Sequence, residues 1–320
     1  MTDHFAAPTL FDLPPVKPRD LFEEFGMPPF SILDRRTGTW QDRKRRWLSL
    51  GIQSEIGRDD ALIYQKPTEG AADVSRKIYE LSQGTSVFDP VVAECAVRWY
   101  SARGGTVLDP FAGGSVRGIV SSVLGRPYIG IDLRPEQVAA NEDQRHIADA
   151  DCLPQWISGD SRRLDHLIDP DQQADLVFSC PPYFDLEQYS DDPDDLSAMT
   201  WDRFCVAYGD IIRLATERLR QDRFAVWVVG DLRDKRGILR GLVPETIAAF
   251  QRAGLQYYNS AITIDPIGTG AIVAGRRFRA SRKLVTMHQH VLVFVKGDPK
   301  RAATWCKSTD PVIADEADDE

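Results

Sequence analysis

The sequence lacks the cysteine pattern of a disulfide-stabilised or zinc-binding protein. Its 320 residues include five cysteines, an odd number, and no two of them are spaced as C-x-x-C. Disulfide frameworks and zinc knuckles are recognised by even counts and by such close pairs. We therefore expect thiols rather than disulfides, and we expect no metal site.

The sequence also lacks a long apolar run and a secretory leader. No stretch of about 18 apolar residues occurs, which is the length that a membrane-spanning helix needs. The start, MTDHFAAPTLFDLPP, has neither the basic nor the apolar region of a signal peptide. Because 42% of the residues are hydrophobic, a sizeable core is expected. These features predict a soluble globular protein in the cytoplasm, with no membrane partner.

The net charge of −9 alone gives no indication of a nucleic-acid partner. However, the C-terminal segment ADEADDE carries five negative charges, and two other segments are strongly basic. RRTGTWQDRKRRW, which begins at Arg35, holds six basic residues, and IGTGAIVAGRRFRASRKLVTM, which begins at Ile267, holds five around Phe278. Each is either a phosphate-contacting surface or an ordinary solvated one.

From residue 106 onward, strand-like and helix-like segments alternate. TVLD, YIGID, WISGD and ADLVFSC are short apolar strands that each end at a polar residue, and helix-like segments follow several of them. FAVWVVGD, SAITI and HVLVFVKG continue the alternation. This pattern predicts an α/β fold with a doubly wound, mostly parallel sheet, and ligands that bind beyond the carboxyl ends of the strands.

The turn after the first of these strands restricts the ligand. It reads DPFAGG, which is neither G-x-G-x-x-G nor a phosphate-binding loop with G-K-[ST]. A carboxylate such as Asp109 would repel a pyrophosphate and attract a cation. Asp132 is placed to accept hydrogen bonds from ribose hydroxyls, and Asp160 from an adenine amino group. A positively charged nucleoside without phosphate, such as S-adenosylmethionine, satisfies these conditions.

Taken in order, these segments resemble the amino-directed DNA methyltransferases, which methylate N4 of cytosine or N6 of adenine. VLDPFAGGS is similar to the family's glycine motif, YIGIDLRPEQ to its ribose-binding segment, ISGD to its adenine-contacting segment and SCPPY to its catalytic motif. SVFDPVVAE is similar to the motif that closes over the cofactor methionine, and the likeness covers roughly residues 85–300. WQDRKRRWLSLGIQSEIGR also resembles sequence in phage-borne members.

The resemblance implies a Rossmann-like class I methyltransferase that modifies double-stranded DNA in a bacterial or phage-infected cell. S-adenosylmethionine would be the cofactor, and a restriction partner and a homodimer stay open. The implied cofactor-binding residues are Phe88, Asp109, Phe111, Gly113, Asp132 and Asp160. The implied catalytic residues are Cys180, Pro181, Pro182 and Tyr183. The predicted DNA contacts are Arg43, Lys44, Arg46, Arg276, Arg277 and Arg279.

Cys180 departs from the family motif, which has Asp, Asn or Ser before the two prolines. A thiol is a poor hydrogen-bond acceptor, so it would orient an exocyclic amine less well than an oxygen. The Pro181 carbonyl, Tyr183 and Ser179 could suffice for amine methylation. Alternatively, the thiolate could attack C6 of a flipped cytosine and activate C5, with Asp185 or Glu187 as the accompanying acid. A third alternative is a different substrate, RNA or protein, or a catalytically silent paralogue.

We expect four segments along the chain. Residues 1–25 are predicted to form a flexible arm, with order beginning near Phe30, and residues 26–84 a basic accessory segment. Residues 85–300 form the catalytic domain, in which residues 265–287 are a basic target-recognition loop. Residues 301–320 form an acidic disordered tail. His288 and His290 are expected on one strand, facing opposite sides and packed rather than bound to metal.

Overall fold

An eight-stranded sheet organises the computed structural model, which describes residues 18–53, 88–184, 195–267 and 270–307. The order of the strands across the sheet is β1-β7-β8-β6-β5-β2-β3-β4. In chain order the strands are β1 (Ile32–Asp34), β2 (Val107–Asp109), β3 (Tyr128–Asp132), β4 (Gln155–Ser158), β5 (Ala174–Ser179), β6 (Leu219–Val229), β7 (Gln256–Ile264) and β8 (His288–Lys296).

Helices connect and cover the strands, and several begin at a side chain that caps the first turn. Asp89, for example, accepts a hydrogen bond from the backbone nitrogen of Val91 at 2.9 Å, with Pro90 at the first helical position. The helices are α1 (Pro18–Phe25), α2 (Gly38–Ser49), α3 (Pro90–Tyr100), α4 (Val116–Val123), α5 (Pro135–Asp143), α6 (Leu164–Leu167), α7 (Trp201–Arg218), α8 (Leu242–Arg252), α9 (Gly270–Ser281) and α10 (Pro299–Cys306).

The sheet is parallel except at β8. Strand β8 pairs antiparallel with both β6 and β7, whereas β1 with β7 and β4-β3-β2-β5-β6 are parallel neighbours. The chain order reverses between β2 and β5, which is the switch point where doubly wound sheets bind ligands. The predicted Rossmann-like, mostly parallel fold is confirmed.

The core lies on both faces of the sheet, as side-chain alternation along buried strands requires. In β5, Phe178 packs into the cluster on one face and Val177 into the cluster on the other. In β6, Val226 and Trp227 divide in the same way, and all four side chains are fully buried. Burial on both faces explains why these strands read as continuous apolar runs.

Helix α1 lies inside the predicted flexible arm, so described order begins earlier than expected. The indole nitrogen of Trp99 in α3 donates a hydrogen bond to the carbonyl oxygen of Phe25 at 3.0 Å. Phe22 also packs against the core cluster. These contacts fix the end of α1 on the catalytic domain, which a sequence rich in proline and polar residues did not indicate.

Two further segments are helical where the sequence predicted a loop and a tail. The segment predicted as a basic recognition loop contains α9, whose alanine and arginine residues are good helix formers. Helix α10 occupies the start of the predicted tail, where Ala302 is buried and Trp305 lies under the guanidinium of Arg223, 3.7 Å away. Residues 308–320 of that predicted tail lie outside the described residues.

Candidate active site

A cleft lies beyond the carboxyl ends of β2, β3, β4 and β5. Its volume is about 1020 Å³ with the open mouth and the solvent in it included. All predicted cofactor and catalytic residues except Asp109 line this cleft: Phe88, Phe111, Gly113, Asp132, Asp160, Cys180, Pro181, Pro182 and Tyr183. The structure therefore brings the two predicted groups together in one place.

Asp132, at the end of β3, joins two turns at the floor of the cleft. Its Oδ2 accepts a hydrogen bond from the backbone nitrogen of Gly113 at 2.9 Å, and its Oδ1 accepts one from Arg134 at 3.0 Å. Burial raises the pKa of Asp132, although both backbone donors act against that shift. Gly113 has φ of +52°, a left-handed conformation that favours glycine. Each carboxylate oxygen keeps a further lone pair for a ligand.

Asp109 lies behind the cleft rather than on its surface. Its carboxylate is fully buried and accepts hydrogen bonds from four donors. These are the backbone nitrogen of Phe111 at 3.0 Å, Ser179 Oγ at 2.5 Å, Arg117 Nε at 2.6 Å and the Tyr128 hydroxyl at 2.8 Å. In this structure Asp109 holds the glycine turn, β3 and the end of β5 together, and it is not brought into contact range of a ligand.

Arg117 is a cleft residue that the sequence analysis missed. Its guanidinium pairs with Asp109, also donates to the carbonyl oxygen of Phe111 at 2.5 Å, and lies 4.6 Å from the ring centre of Phe88. Burial disfavours its charge, but the carboxylate of Asp109 raises the pKa of Arg117 above its ordinary value, and Cys180 adds to this effect. The available signal was a basic residue in the first turn of the helix that follows the glycine turn.

Asp160 caps a single helical turn at the edge of the cleft. Its Oδ1 accepts the backbone nitrogen of Arg162 at 2.9 Å, and its Oδ2 pairs with the guanidinium of Arg162 at 2.8 Å. The next residue, Ser161, donates its hydroxyl to the carbonyl oxygen of Pro110 at 2.6 Å. The β4 turn is thereby fixed against the glycine turn, and the Asp160 side chain stays one-fifth exposed.

The turn that follows β5 carries the predicted catalytic residues and ends in a strained residue. Phe184 has φ of +47°, which is unusual for a bulky side chain, yet its ring is buried against Trp201 and Phe204. The two preceding prolines fix their own φ angles. Packing of Phe184 thus holds Pro181, Pro182 and Tyr183 in one pose.

Tyr183 is held by a residue that no sequence motif indicated. The side-chain amide of Gln289 in β8 donates a hydrogen bond to the Tyr183 hydroxyl at 2.5 Å. Directly after β6, Gly230 lies beside the ring, because a β-carbon there would be at ordinary contact distance, 3.4 Å, from Tyr183 Cε1. Gln289 and Tyr183 are 106 positions apart, so only the sheet order brings them together.

Ser179, which was predicted as a possible helper in amine methylation, does not face the cleft. The side chain is fully buried, and its hydroxyl donates to Asp109. It does not line the cleft, unlike the neighbouring Cys180. Asp185 and Glu187, the predicted acids of the alternative chemistry, lie outside the described residues.

Two of the three predicted DNA contacts at α2, Arg43 and Lys44, are already engaged with buried acids at the start of α3. Arg43 pairs with Glu94, and Lys44 Nζ lies 3.5 Å from Asp89 Oδ2. Burial would raise the pKa of Glu94, but hydrogen bonds from Arg43 and Trp47 outweigh it and lower that pKa. Phosphate contacts for Arg43 and Lys44 stay predictions, and Arg46 is exposed.

The other predicted contacts lie on α9. Arg276, Arg277 and Arg279 are exposed on this helix, and Phe278 is 42% exposed between them. Helix α9 follows β7, whose carboxyl end lies at the same edge of the sheet as the cleft. The position is consistent with the predicted DNA contacts, which nothing in the structure tests.

The prediction for the two histidines of β8 was wrong. Residues two apart on a strand share a face, and the rings of His288 and His290 meet edge to face with centres 5.2 Å apart. Burial, followed by the neighbouring His288, lowers the pKa of His290.

In the part of the chain that the structure describes, no group of three or more His, Cys, Asp or Glu side chains could hold a metal ion. Nor is any described helix long and apolar enough to cross a membrane.

The cleft suits a cationic nucleoside. Acidic side chains of Asp132, Asp160 and Asp195 line it, and so do two arginines. Arg117 is balanced by Asp109, which leaves Arg134 as the other basic group of the lining. Phe88 and Phe111 add apolar surface for a base or a methylene chain. These are the groups that S-adenosylmethionine would require.

Comparison with known proteins supports this chemistry. Residues 77–143 match a family model described as DNA methylase, of the N6- and N4-directed methyltransferases. This match confirms the predicted resemblance and, with it, the predicted cofactor S-adenosylmethionine. A search of curated proteins gave no match.

Many solved structures are similar in fold. TrmN from Thermus thermophilus is 18% identical, with a TM-score of 0.43 over 70% of this chain and 53% of TrmN. Magnesium protoporphyrin IX methyltransferase from Synechocystis, with bound S-adenosylmethionine, is 13% identical, with a TM-score of 0.42 over 87% of this chain and 95% of that one. A putative RNA methyltransferase from Pyrococcus horikoshii is 13% identical, with a TM-score of 0.43 over 80% and 100%. The chain thus spans about half the length of TrmN.

Proposed function

We propose that this chain, which carries a DNA methylase segment, is a DNA methyltransferase that modifies the exocyclic amino group of cytosine or adenine. One observation carries the proposal. The cleft lined by Asp132 and Asp160 is also lined by Cys180, Pro181, Pro182 and Tyr183, which resemble the family's catalytic motif. A cofactor and a base held in this cleft would lie next to each other, which is what direct methyl transfer requires.

The cofactor side of the cleft would bind through hydrogen bonds and apolar contact. Bound S-adenosylmethionine supplies an electrophilic methyl group on a sulfonium sulfur. Asp132 would accept ribose hydroxyls with its remaining lone pairs, and Asp160 an adenine amino hydrogen. Phe88 and Phe111 would exclude water from the bound ligand. Asp109 would act behind the wall, where it neutralises Arg117 and fixes the glycine turn.

The base side of the cleft would position an extruded nucleotide. Tyr183, with its hydroxyl fixed by Gln289, would stack on the base. The carbonyl oxygen of Pro181 would accept one amino hydrogen and direct the nitrogen lone pair at the methyl carbon. Transfer to that nitrogen would form the nitrogen–carbon bond while S-adenosylhomocysteine departs as the leaving group, and the surplus amino proton would pass to solvent water. Cys180 would be a tolerated neighbour that helps to hold the turn.

One observation favours a second candidate, methylation at C5 of cytosine. Cys180 is partly exposed in the cleft and close enough to the buried guanidinium of Arg117 for the two to interact electrostatically. The thiolate of Cys180 is the form that would attack C6 of a flipped cytosine. We prefer amine methylation because the ordered motifs resemble the amino-directed family, whereas the alternative depends on one residue.

Methyl transfer from labelled S-adenosylmethionine tests the proposed function. The purified protein is offered duplex DNA, RNA and a protein extract in parallel. We expect label in duplex DNA. Label in RNA or protein alone would contradict the DNA substrate, and cofactor binding without any transfer would support a catalytically silent paralogue. A cytoplasmic location in a bacterial or phage-infected cell, a restriction partner and a homodimer stay predictions.

A further inference from the structure

A short hairpin follows β6 at the edge of the sheet where the cleft opens. We call residues 231–241 the β6 hairpin. At its base, Asp231 Oδ1 accepts the backbone nitrogens of Leu232 at 2.9 Å, Gly241 at 3.0 Å and Leu242 at 3.1 Å. One carboxylate oxygen therefore joins both ends of the hairpin to the first turn of α8.

The tip of the β6 hairpin is also fixed. Arg233 and Leu239 form a bridge, Asp234 Oδ1 accepts the backbone nitrogen of Ile238 at 2.8 Å, and Gly237 has φ of +85°. Across the turn, the backbone nitrogen of Asp234 donates to the carbonyl oxygen of Ile238 at 2.8 Å, and that of Gly237 donates to the carbonyl oxygen of Asp234 at 2.7 Å. The tip thus presents its side chains on a defined backbone.

Two large apolar side chains point into solvent at this fixed tip. Ile238 is 61% exposed and Leu239 is 50% exposed, although Leu232 at the base is buried. Cationic side chains accompany them, because Lys235 is exposed and Arg236 is 85% exposed, although Arg236 Nε also pairs with Asp234 Oδ2 at 3.1 Å. Adjacent exposed apolar residues contribute little to the core, so they are expected to contact a partner. Cations around an apolar tip suit a polyanion with an apolar interior, which describes a DNA duplex.

The base of the β6 hairpin contacts the catalytic turn. The guanidinium of Arg240 lies 4.8 Å from the ring centre of Phe184, the strained residue that follows Tyr183. Gly230, directly before the hairpin, lies next to the Tyr183 ring, since a β-carbon at Gly230 would be 3.4 Å from Tyr183 Cε1. An object bound at the hairpin tip would therefore lie beside the mouth of the cleft.

The hairpin also contacts the basic segment that contains α9. A β-carbon on Gly237 would collide with the side chain of Lys283, which lies directly against the turn. Lys283 follows α9, where Arg276, Arg277 and Arg279 are exposed. The hairpin and α9 thus form one positively charged surface next to the cleft.

We propose that the β6 hairpin inserts into duplex DNA at the target site. Ile238 and Leu239 fill the space that the extruded base leaves in the stack, while Lys235 and Arg236 contact the flanking phosphates. This inference rests on the proposed DNA methyltransferase activity. It identifies Ile238 and Leu239 as the side chains that insert between the bases, and we call this pair the wedge. Apolar side chains between base steps offset the lost stacking, so that extrusion of the base becomes less costly.

The test compares paired and mismatched duplexes. The modified site is first mapped by sequencing DNA from cells that express the protein. The double variant Ile238→Ser/Leu239→Ser is then assayed on a perfect duplex and on one with a mismatch at the target base, which is already partly unstacked. We expect a loss of at least about tenfold in methylation rate on the perfect duplex and recovery to within about threefold on the mismatched one. Affinity for S-adenosylmethionine should not change.

The matched control is Leu153→Ser, an exposed leucine just before β4 at the opposite edge of the sheet, which should leave both rates unchanged. An equal loss on both duplexes, or no loss, overturns the wedge while DNA methylation by the wild type stands. A wild-type protein that methylates no DNA overturns both the wedge and the proposed function.

In the variant Lys235→Ala/Arg236→Ala, the slope of log affinity against log salt should fall by about 0.9 per lost phosphate contact. An unchanged slope contradicts the assigned phosphate contacts.

Discussion

Gln289 donates a hydrogen bond to the hydroxyl of Tyr183 at 2.5 Å, from the antiparallel strand β8 to the catalytic turn after β5. If Tyr183 stacks on the target base, this bond fixes the orientation of the stacking ring. Gln289→Leu and Tyr183→Phe should then each slow methylation of DNA, with little effect on the affinity for S-adenosylmethionine.

A double-mutant cycle checks this prediction. Because either substitution removes the same bond, the double variant should be little slower than either single one, with a coupling of about 1 kcal/mol. Calorimetric titration with cofactor shows whether the variants are folded. Fully additive effects would mean that Gln289 acts on the rate by another route.

Asp132 provides a prediction about the cofactor. Asp132→Ala should weaken the binding of S-adenosylmethionine by about 1.5–3 kcal/mol, the range for hydrogen bonds to a charged group. A matched control is Asp143→Ala, a carboxylate at the end of α5 that does not line the cleft. Unchanged affinity in a folded Asp132→Ala variant would remove this residue from the site.

The raised pKa of Asp132 gives the same site a pH dependence. Because burial lifts this pKa above its ordinary 3.8, protonation begins at a higher pH than for an exposed aspartate. The protonated form loses acceptor capacity, so cofactor affinity should fall as the pH is lowered from neutral through the raised pKa. Asp132→Asn, which cannot titrate, should flatten this part of a calorimetric pH profile, and a wild-type profile identical to that of the variant would contradict the assignment.

The α9 arginines provide a prediction about DNA. Replacing Arg276, Arg277 and Arg279 with alanine should weaken binding to every duplex and lower the slope of log affinity against log salt by about 0.9 per contact, nearly 3 in total. Arg213→Ala on α7, an exposed arginine paired with Glu217, is the control and should leave the slope unchanged. A triple variant with the wild-type slope would identify α9 as an ordinary solvated helix.

The buried pair of Arg117 and Asp109 provides a prediction about stability. Arg117→Met leaves a buried carboxylate without its cation, so the free energy of unfolding should fall by about 3–5 kcal/mol in urea titration. The exposed pair of Arg213 and Glu217 should contribute at most about 1 kcal/mol by the same measurement. An equally small loss in Arg117→Met would show that the pair is not what holds the glycine turn.

The sequence predicted the sheet and most of the cleft because both depend on local patterns. Apolar strands that end at Asp132 and just before Cys180 are visible without a structure, and parallel strand ends meet at one edge. The contact of Gln289 with Tyr183 depends on which strands become neighbours. The ion pair of Arg43 with Glu94 depends on which helix face becomes buried. Neither property appears in a local pattern of residues.

Amine methylation of DNA, with Cys180 as a tolerated residue, is tested most directly by nucleoside mass spectrometry. DNA is taken from cells that express the wild-type protein or Cys180→Ser, and the methylcytosine isomers are separated by chromatography. Serine restores an oxygen acceptor but cannot replace a thiolate near neutral pH. We therefore expect N4-methylcytosine or N6-methyladenine in both samples, at an equal or higher level in the variant. A 5-methylcytosine peak in the wild type that disappears in Cys180→Ser would contradict the account.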